Sequence, residues 1–286
     1  MKRKFVTGFC LFAAVVLFGM AACSQKLAVR FYTEVSEKVE EPVRLALIAD
    51  LHSTFYGEGQ EELVRILQEQ KPDVVLLAGD IADDKVPHDG TKVLLEAIGT
   101  SYPCFYVTGN HEYWSGEEEA IKEMIASYGI TVLEGESCLL DTGAQTIRIC
   151  GVDDPDGYGQ RHQYDPEAMA EWENQLMRCR LSLEEGQYSV LITHRPELTA
   201  YYTHMPEEGL PGFDLITAGH AHGGQVRIPG IINGLLAPNQ GWFPQYAGGR
   251  YELGDAVMIV SRGLCRNLLP RVFNRPELVF VDVVPK

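Results

Sequence analysis

Eight side chains that can hold a cation or move a proton fall in five short motifs: Asp50-Leu-His52, Gly79-Asp80, Gly109-Asn110-His111-Glu112, a lone His194, and Gly219-His220-Ala221-His222. Imidazole nitrogen mixed with carboxylate and amide oxygen suits borderline divalent cations. His220 and His222 stand one residue apart in a glycine-flanked turn. Alternate side chains of an extended or turning backbone diverge, so this pair is better placed to reach two neighbouring ions than to chelate one. Alone, a His-x-His turn in a polar loop is more often simply solvated. With the other motifs present, the inventory is about what two ions need, with one carboxylate between them.

The positions of these motifs predict the elements that carry them. Each follows an apolar run of strand type: residues 43–49, 74–78, 104–108, 188–193 and 213–218. Asp50, Asp80 and Asn110 recur at intervals of thirty residues (80 − 50 and 110 − 80). Between them, residues 61–70, 91–98 and 116–127 have helical spacing, the last with glutamates in its first turn, where the helix dipole favours them. Such alternation implies a layered α/β fold whose site forms in the crevice beyond the strand ends. The middle of the chain breaks the rhythm, with strands over 130–133, 137–140 and 145–152 and a polar loop over 153–164. The longest helix follows over 165–183, its stripe of Met169, Trp172, Leu176 and Cys179 reading as core. Further strands are expected over 225–229, 255–261 and 278–284, with a Gly, Pro and aromatic loop over 233–249. Trp242 and Phe243 in that loop either meet lipid, cover the substrate or pack on the domain.

Composition narrows the partners. The chain has 286 residues, 45% hydrophobic and 22% charged, an ordinary globular balance with no repeat. Its formal charge of −16 repels polyanions and argues against nucleic-acid binding. Met-Lys-Arg-Lys precedes an uncharged run over 5–22, long enough to cross a hydrocarbon core, and basic residues ahead of it place the remainder on the far side of the membrane. Gly19-Met-Ala-Ala-Cys23 is similar to a bacterial lipoprotein cleavage site. Residues 1–24 are therefore read as a lipoprotein-like signal or an uncleaved membrane anchor, 25–42 as a polar linker, and 43–286 as one catalytic domain that is membrane-anchored and extracytoplasmic. Cys104, Cys138, Cys150, Cys179 and Cys265 lie beyond the leader, an odd set with no Cys-x-x-Cys pair, most of them expected as buried apolar side chains.

The five motifs in this order resemble those of the calcineurin-like metallophosphoesterases, over about residues 43–284. Gly219-His-Ala-His-Gly-Gly-Gln225, Ser261-Arg-Gly263, Pro270-Arg271 and residues 274–277 further resemble a bacterial membrane-associated branch, which includes the enzyme that cleaves the pyrophosphate of UDP-2,3-diacylglucosamine. One departure is Ala221, where that branch commonly has Thr. The resemblance implies a four-layer α/β fold, two mixed β-sheets packed face to face and flanked by helices. It implies two divalent ions (Mn, Zn, Fe or Mg), one held by Asp50, His52, Asp80 and His222, the other by Asp80, Asn110, His194 and His220, with a hydroxide between them. Asp80 would bridge. His111 would protonate the leaving oxygen or steady the phosphoryl charge. Asp83, at the second acid of Gly-Asp-x-x-Asp, would orient His111, a solvated loop acid being the alternative. Arg195 and Arg262 are candidates for substrate phosphate, a structural salt bridge being the alternative for each. The expected activity is hydrolysis of a phosphodiester or pyrophosphate in a lipid- or envelope-linked substrate. A phosphomonoesterase, protein phosphatase or nuclease is the second reading, and a metal-stabilised binding module without turnover the third.

Overall fold

The computed structural model describes residues 19–158, 166–204, 210–266 and 271–286. The first half runs β1 (Ala28–Ser36), β2 (Val43–Ile48), α1 (Glu61–Gln70), β3 (Val74–Ala78), α2 (Asp89–Ile98), β4 (Cys104–Val107), α3 (Asn110–Ser115), α4 (Glu118–Ser127) and β5 (Thr131–Val132). The second runs β6 (Ser137–Asp141), β7 (Thr146–Gly151), α5 (Pro166–Leu181), β8 (Ser189–Ile192), α6 (Thr199–Thr203) and β9 (Leu215–Ala218). After these come the short pair β10 (Leu236–Ala237) and β11 (Gly241–Trp242), then β12 (Gly249–Leu253), β13 (Ala256–Val260) and β14 (Glu277–Pro285).

Two six-stranded mixed sheets result, ordered β1-β14-β2-β3-β4-β5 and β12-β13-β9-β8-β7-β6. Strands β2 to β5 run parallel to one another, as do β7, β8, β9 and β13, which puts their C-terminal ends together. Period-two alternation explains the layering. Leu45, Leu47, Leu76 and Val107 of the first sheet pack against Ile147, Ile149, Val190 and Ile259 of the second. The intervening Ala46, Ile48, Val75 and Leu77 face Leu63, Leu94 and Ile125 on the helices outside. On the far side, Cys150, Leu191, Ile216 and Met258 pack on Met169, Trp172, Leu176 and Cys179. Helix, sheet, sheet and helix make four layers, the expected fold. Because strands of both sheets are buried on both faces, they read as unbroken apolar runs rather than alternating ones.

Three expectations are corrected. Residues 25–42 are not merely a linker: β1 lies within them and pairs in parallel with β14, Ala28 opposite Glu277 and Ser36 opposite Pro285. It is an edge strand, with Phe31 and Val35 exposed, so its polar, mixed composition carries little strand signal. The expected strand over 225–229 contributes only isolated bridges, Val226 to Val272 and Ile228 to Ile232. The helix expected over 116–127 starts two residues later, at Glu118, because Gly116 at φ 69° is taken up in closing α3. The apolar leader lies mostly outside the described residues, and among those described no helix is long and apolar enough to cross a membrane.

Candidate metal centre

Both sheets end at one crevice. β2, β3 and β4 deliver Asp50, His52, Asp80 and Asn110, while β8 and β9 deliver His194, His220 and His222. The strand exits are stitched to one another: the backbone N–H of Asp50 bonds the Gly79 carbonyl at 3.1 Å, and that of His52 the Asp80 carbonyl at 2.9 Å. Asp50, His52, Asp80, His220 and His222 all sit at positive φ, between 46° and 65°. Non-glycine residues there cost on the order of 1–3 kcal/mol each and persist where surrounding structure imposes them. Gly109 permits a close approach to Asp80, since a Cβ on it would lie 2.3 Å from Asp80 Oδ1.

Asp80 is the meeting point. Its Oδ1 accepts the backbone N–H of His111 at 2.8 Å, and Oδ2 lies 3.6 Å from His52 Nε2 and 3.1 Å from His194 Nε2. His194 Nε2 is in turn 3.2 Å from His220 Nδ1. His52, Asp80 and His111 form one group with ligand spacing, Asp80, His194 and His220 another, and His52, His222 and Cys265 a third. The two histidines of the His-x-His turn thus part to opposite sides of Asp80.

Each imidazole is aimed by its other nitrogen. His194 Nδ1 bonds the Ala78 carbonyl at 2.8 Å, His220 Nε2 the Asn239 Oδ1 at 3.1 Å, and His52 Nδ1 the Asp83 Oδ2 at 3.0 Å. His222 Nδ1 lies 3.1 Å from Cys265 Sγ. Burial first, then the Arg195 charge, holds His220 well below the ordinary histidine range, and burial, then His52, does so for His222. Both are neutral imidazoles with a lone pair to give. At His194 burial works downward, but the adjacent Asp80 carboxylate raises it to about 10.

The fit to metal rests on orphaned atoms. Asp50 Oδ2, His52 Nε2, Asp80 Oδ2 and Asn110 Oδ1 are buried without a hydrogen bond of ordinary geometry. Buried polar atoms normally find partners, and four that converge at one strand-end crevice suit cations. The signature of the calcineurin-like phosphoesterases matches residues 43–224, well over half of the chain. The chain belongs to the calcineurin-like phosphoesterase family. It is 28% identical over 254 residues to an uncharacterised metallophosphoesterase of Campylobacter jejuni, covering 87% of this chain and 61% of that protein's length. It is 25% identical to the phosphodiesterase YaeI of Escherichia coli, covering 85% of this chain and 83% of YaeI. A dimetal phosphatase of Danio rerio is similar in fold at 14% identity and TM-score 0.46, covering 79% of this chain and 88% of the other.

In this phosphoesterase a cavity of about 780 Å³ opens over His52, His111 and His222. His111 lines it with its ring edge-on to His52, centroids 4.4 Å apart. The acid that holds His111 is Asp84, whose Oδ1 is 2.7 Å from Nδ1. Asp83 is 3.9 Å from that nitrogen and instead grips His52. Burial raises Asp83, but the His52 bond and the backbone N–H of Lys85 bring it down to about 2, so it stays ionised. The expected pairing of Asp83 with His111 is thereby corrected. Both arginines are held in ion pairs, the structural alternative. Arg195 is fully buried and gives Nε and Nη2 to Asp154 at 2.6 and 2.8 Å, with Asp156 Oδ1 3.0 Å from Nη2. Arg262 pairs with Glu277 Oε2 at 3.3 Å and lines a different cavity.

Four residues outside the expected site contribute to it. Asp84, Asn239 and Cys265 do so through the contacts above. Glu112, fully buried, accepts backbone N–H groups of Asp80, Ile81, Ala82 and Gly109 at 3.0, 2.8, 3.0 and 2.8 Å, clamping the loops after β3 and β4 together. Burial and then Asp80 push it up to about 7. Its signal was already in Gly-Asn-His-Glu. The glycine of Ser261-Arg-Gly263 is explained too, since it sits at φ 73° where a Cβ would meet Asp50 Oδ2 at 2.4 Å.

Proposed function

We propose that this chain uses two divalent cations to hydrolyse a phosphodiester or pyrophosphate bond in a lipid- or envelope-linked substrate, from a membrane-anchored, extracytoplasmic position. The observation that carries the hydrolytic reading is the convergence of orphaned Asp50 Oδ2, His52 Nε2, Asp80 Oδ2 and Asn110 Oδ1 around the Asp80 carboxylate. Asp50, His52, Asp80 and His222 would hold one ion, and Asp80, Asn110, His194 and His220 the other. When bound, such cations neutralise phosphoryl oxygens and activate water.

The rest is the work of this chain's residues. Asp83 and Cys265 hold His52 and His222 in place; Ala78 and Asn239 do the same for His194 and His220. His111, with Nδ1–H donated to Asp84, presents its other nitrogen for the departing oxygen. The cavity is larger than one phosphate needs. Its walls combine Phe55, Val86 and Pro87 with Lys85 and Arg266, apolar surface beside cationic groups. That supports a substrate with organic groups on both sides of the phosphorus, and an amphiphilic one, the class to which UDP-2,3-diacylglucosamine belongs.

The test is hydrolysis by the full chain in neutral detergent of monoesters, diesters and lipid pyrophosphates, with Mn²⁺, Zn²⁺, Fe²⁺ or Mg²⁺ supplied. Preference for diester or pyrophosphate over monoester is expected. Turnover of monoesters alone overturns the substrate class, and no turnover with any ion overturns the hydrolase.

A further inference from the structure

Away from the metal centre, β1 and the long excursion between β9 and β12 enclose a second cavity of about 390 Å³. Arg30, Arg227 and Arg262 line it, and among the described residues no carboxylate does. Arg227 is only 9% exposed, anchored by the Gly223 and Gly248 carbonyls at 3.2 and 3.5 Å and by the Asn233 side chain. Arg262 and Arg30 share one acid, the fully buried Glu277, at 3.3 and 3.6 Å. Arg262 Nε is buried there without a hydrogen bond of ordinary geometry. Three guanidiniums against one carboxylate leave an excess of positive charge, and burial, then the neighbouring Arg262 charge, pulls Arg227 down to about 10. The hollow is short of an anion, on a chain whose formal charge is −16.

Its rim is apolar. Ile228 and Ile231 line the opening and are 42% and 80% exposed. The same excursion carries Trp242 and Phe243 outward, with Leu236 opposite Trp242 across β10 and β11. Guanidinium is the cation best matched to phosphate oxygens, and exposed apolar side chains around a cationic hollow match an amphiphile. Net acidity sharpens the choice of face: an anionic membrane repels the molecule elsewhere and attracts it here.

We propose that the Arg30, Arg227 and Arg262 cavity binds the phosphate of an anionic phospholipid headgroup at a membrane surface, with Ile228 and Ile231 reaching the acyl region. This site is separate from the hydrolytic centre, and neither reading depends on the other.

The test is a quenching titration of the full chain in neutral detergent, with Ile231→Trp as reporter in a Trp242→Phe background. Micelles are doped with phosphatidylglycerol or phosphatidylcholine brominated on the acyl chains. Phosphatidylglycerol is expected to quench saturably at a lower mole fraction than phosphatidylcholine. Each positive charge removed should raise the half-quenching fraction roughly five-fold. Arg30→Gln is the clean variant, because Arg30 is half exposed; Arg227→Gln is read beside its melting temperature. Equal quenching by both lipids, or an unchanged half-quenching fraction in Arg30→Gln, overturns the site. A reporter shift with inorganic phosphate but no quenching by phosphatidylglycerol assigns the cavity to free phosphate and overturns the lipid.

Discussion

Asp84 Oδ1 lies 2.7 Å from His111 Nδ1, whereas Asp83, one residue earlier, turns its Oδ2 to His52 Nδ1 at 3.0 Å. Two consecutive acids therefore divide between two imidazoles with different tasks. Asp84→Asn is expected to lower kcat with metal content unchanged, and Asp83→Asn to weaken metal binding at His52, with affinity down roughly 10–100-fold. Metal content and kcat measured on both variants decide the division; the reverse pattern would return His111 to Asp83.

His111→Ala should keep its metal and lose about 10²–10⁴-fold in rate, the range for a positioned proton donor. The loss should shrink for a nitrophenyl ester, whose leaving group departs without a proton. If a good and a poor leaving group slow equally, His111 steadies the phosphoryl charge instead.

Asp80→Asn should abolish turnover and reduce bound metal, because Oδ2 stands between His52 and His194. Asn110→Ala should weaken one ion more than the other. Titrating the apoproteins with Mn²⁺ by calorimetry gives the stoichiometry, and an unaltered Asp80→Asn isotherm would remove the bridge. Chelation of the native protein should lower its melting temperature, since bound cations satisfy buried atoms that water cannot reach.

Glu112 is fully buried and does not line the cavity over His111. Glu112→Ala leaves four buried N–H groups without their carboxylate and should destabilise by about 3 kcal/mol. For a domain of this size that is a fall of roughly 6–12 °C in melting temperature. Unchanged stability with lost activity would move Glu112 from positioning into the chemistry.

Arg195→Met should cost stability by roughly 3–5 kcal/mol while leaving KM near normal, because it strands Asp154 in the interior. A raised KM in a folded variant would restore Arg195 as a phosphate contact.

The metal motifs were legible because strand and motif are local: an apolar run ends, and the next side chains carry ligands. Recurrence at Asp50, Asp80 and Asn110, and then His194 and His-x-His, needs no knowledge of long-range pairing. What followed from chain geometry at a distance was hidden. β1 is a strand because β14, from the other end of the chain, pairs with it. Arg195 is structural because a loop 41 residues away brings Asp154 to it. Cys265 became a neighbour of His222 across 43 residues. The choice between Asp83 and Asp84 is local in sequence yet was also invisible, since the backbone turn decides which carboxylate faces which ring. By itself the sequence determined the kinds of candidate ligand, their order and the strand ends that carry them, because these depend on residue type and short spacing. Tertiary structure alone decided which second residue aims each ligand and which arginine is buried, because burial and pairing are set by segments that meet only when the two sheets close.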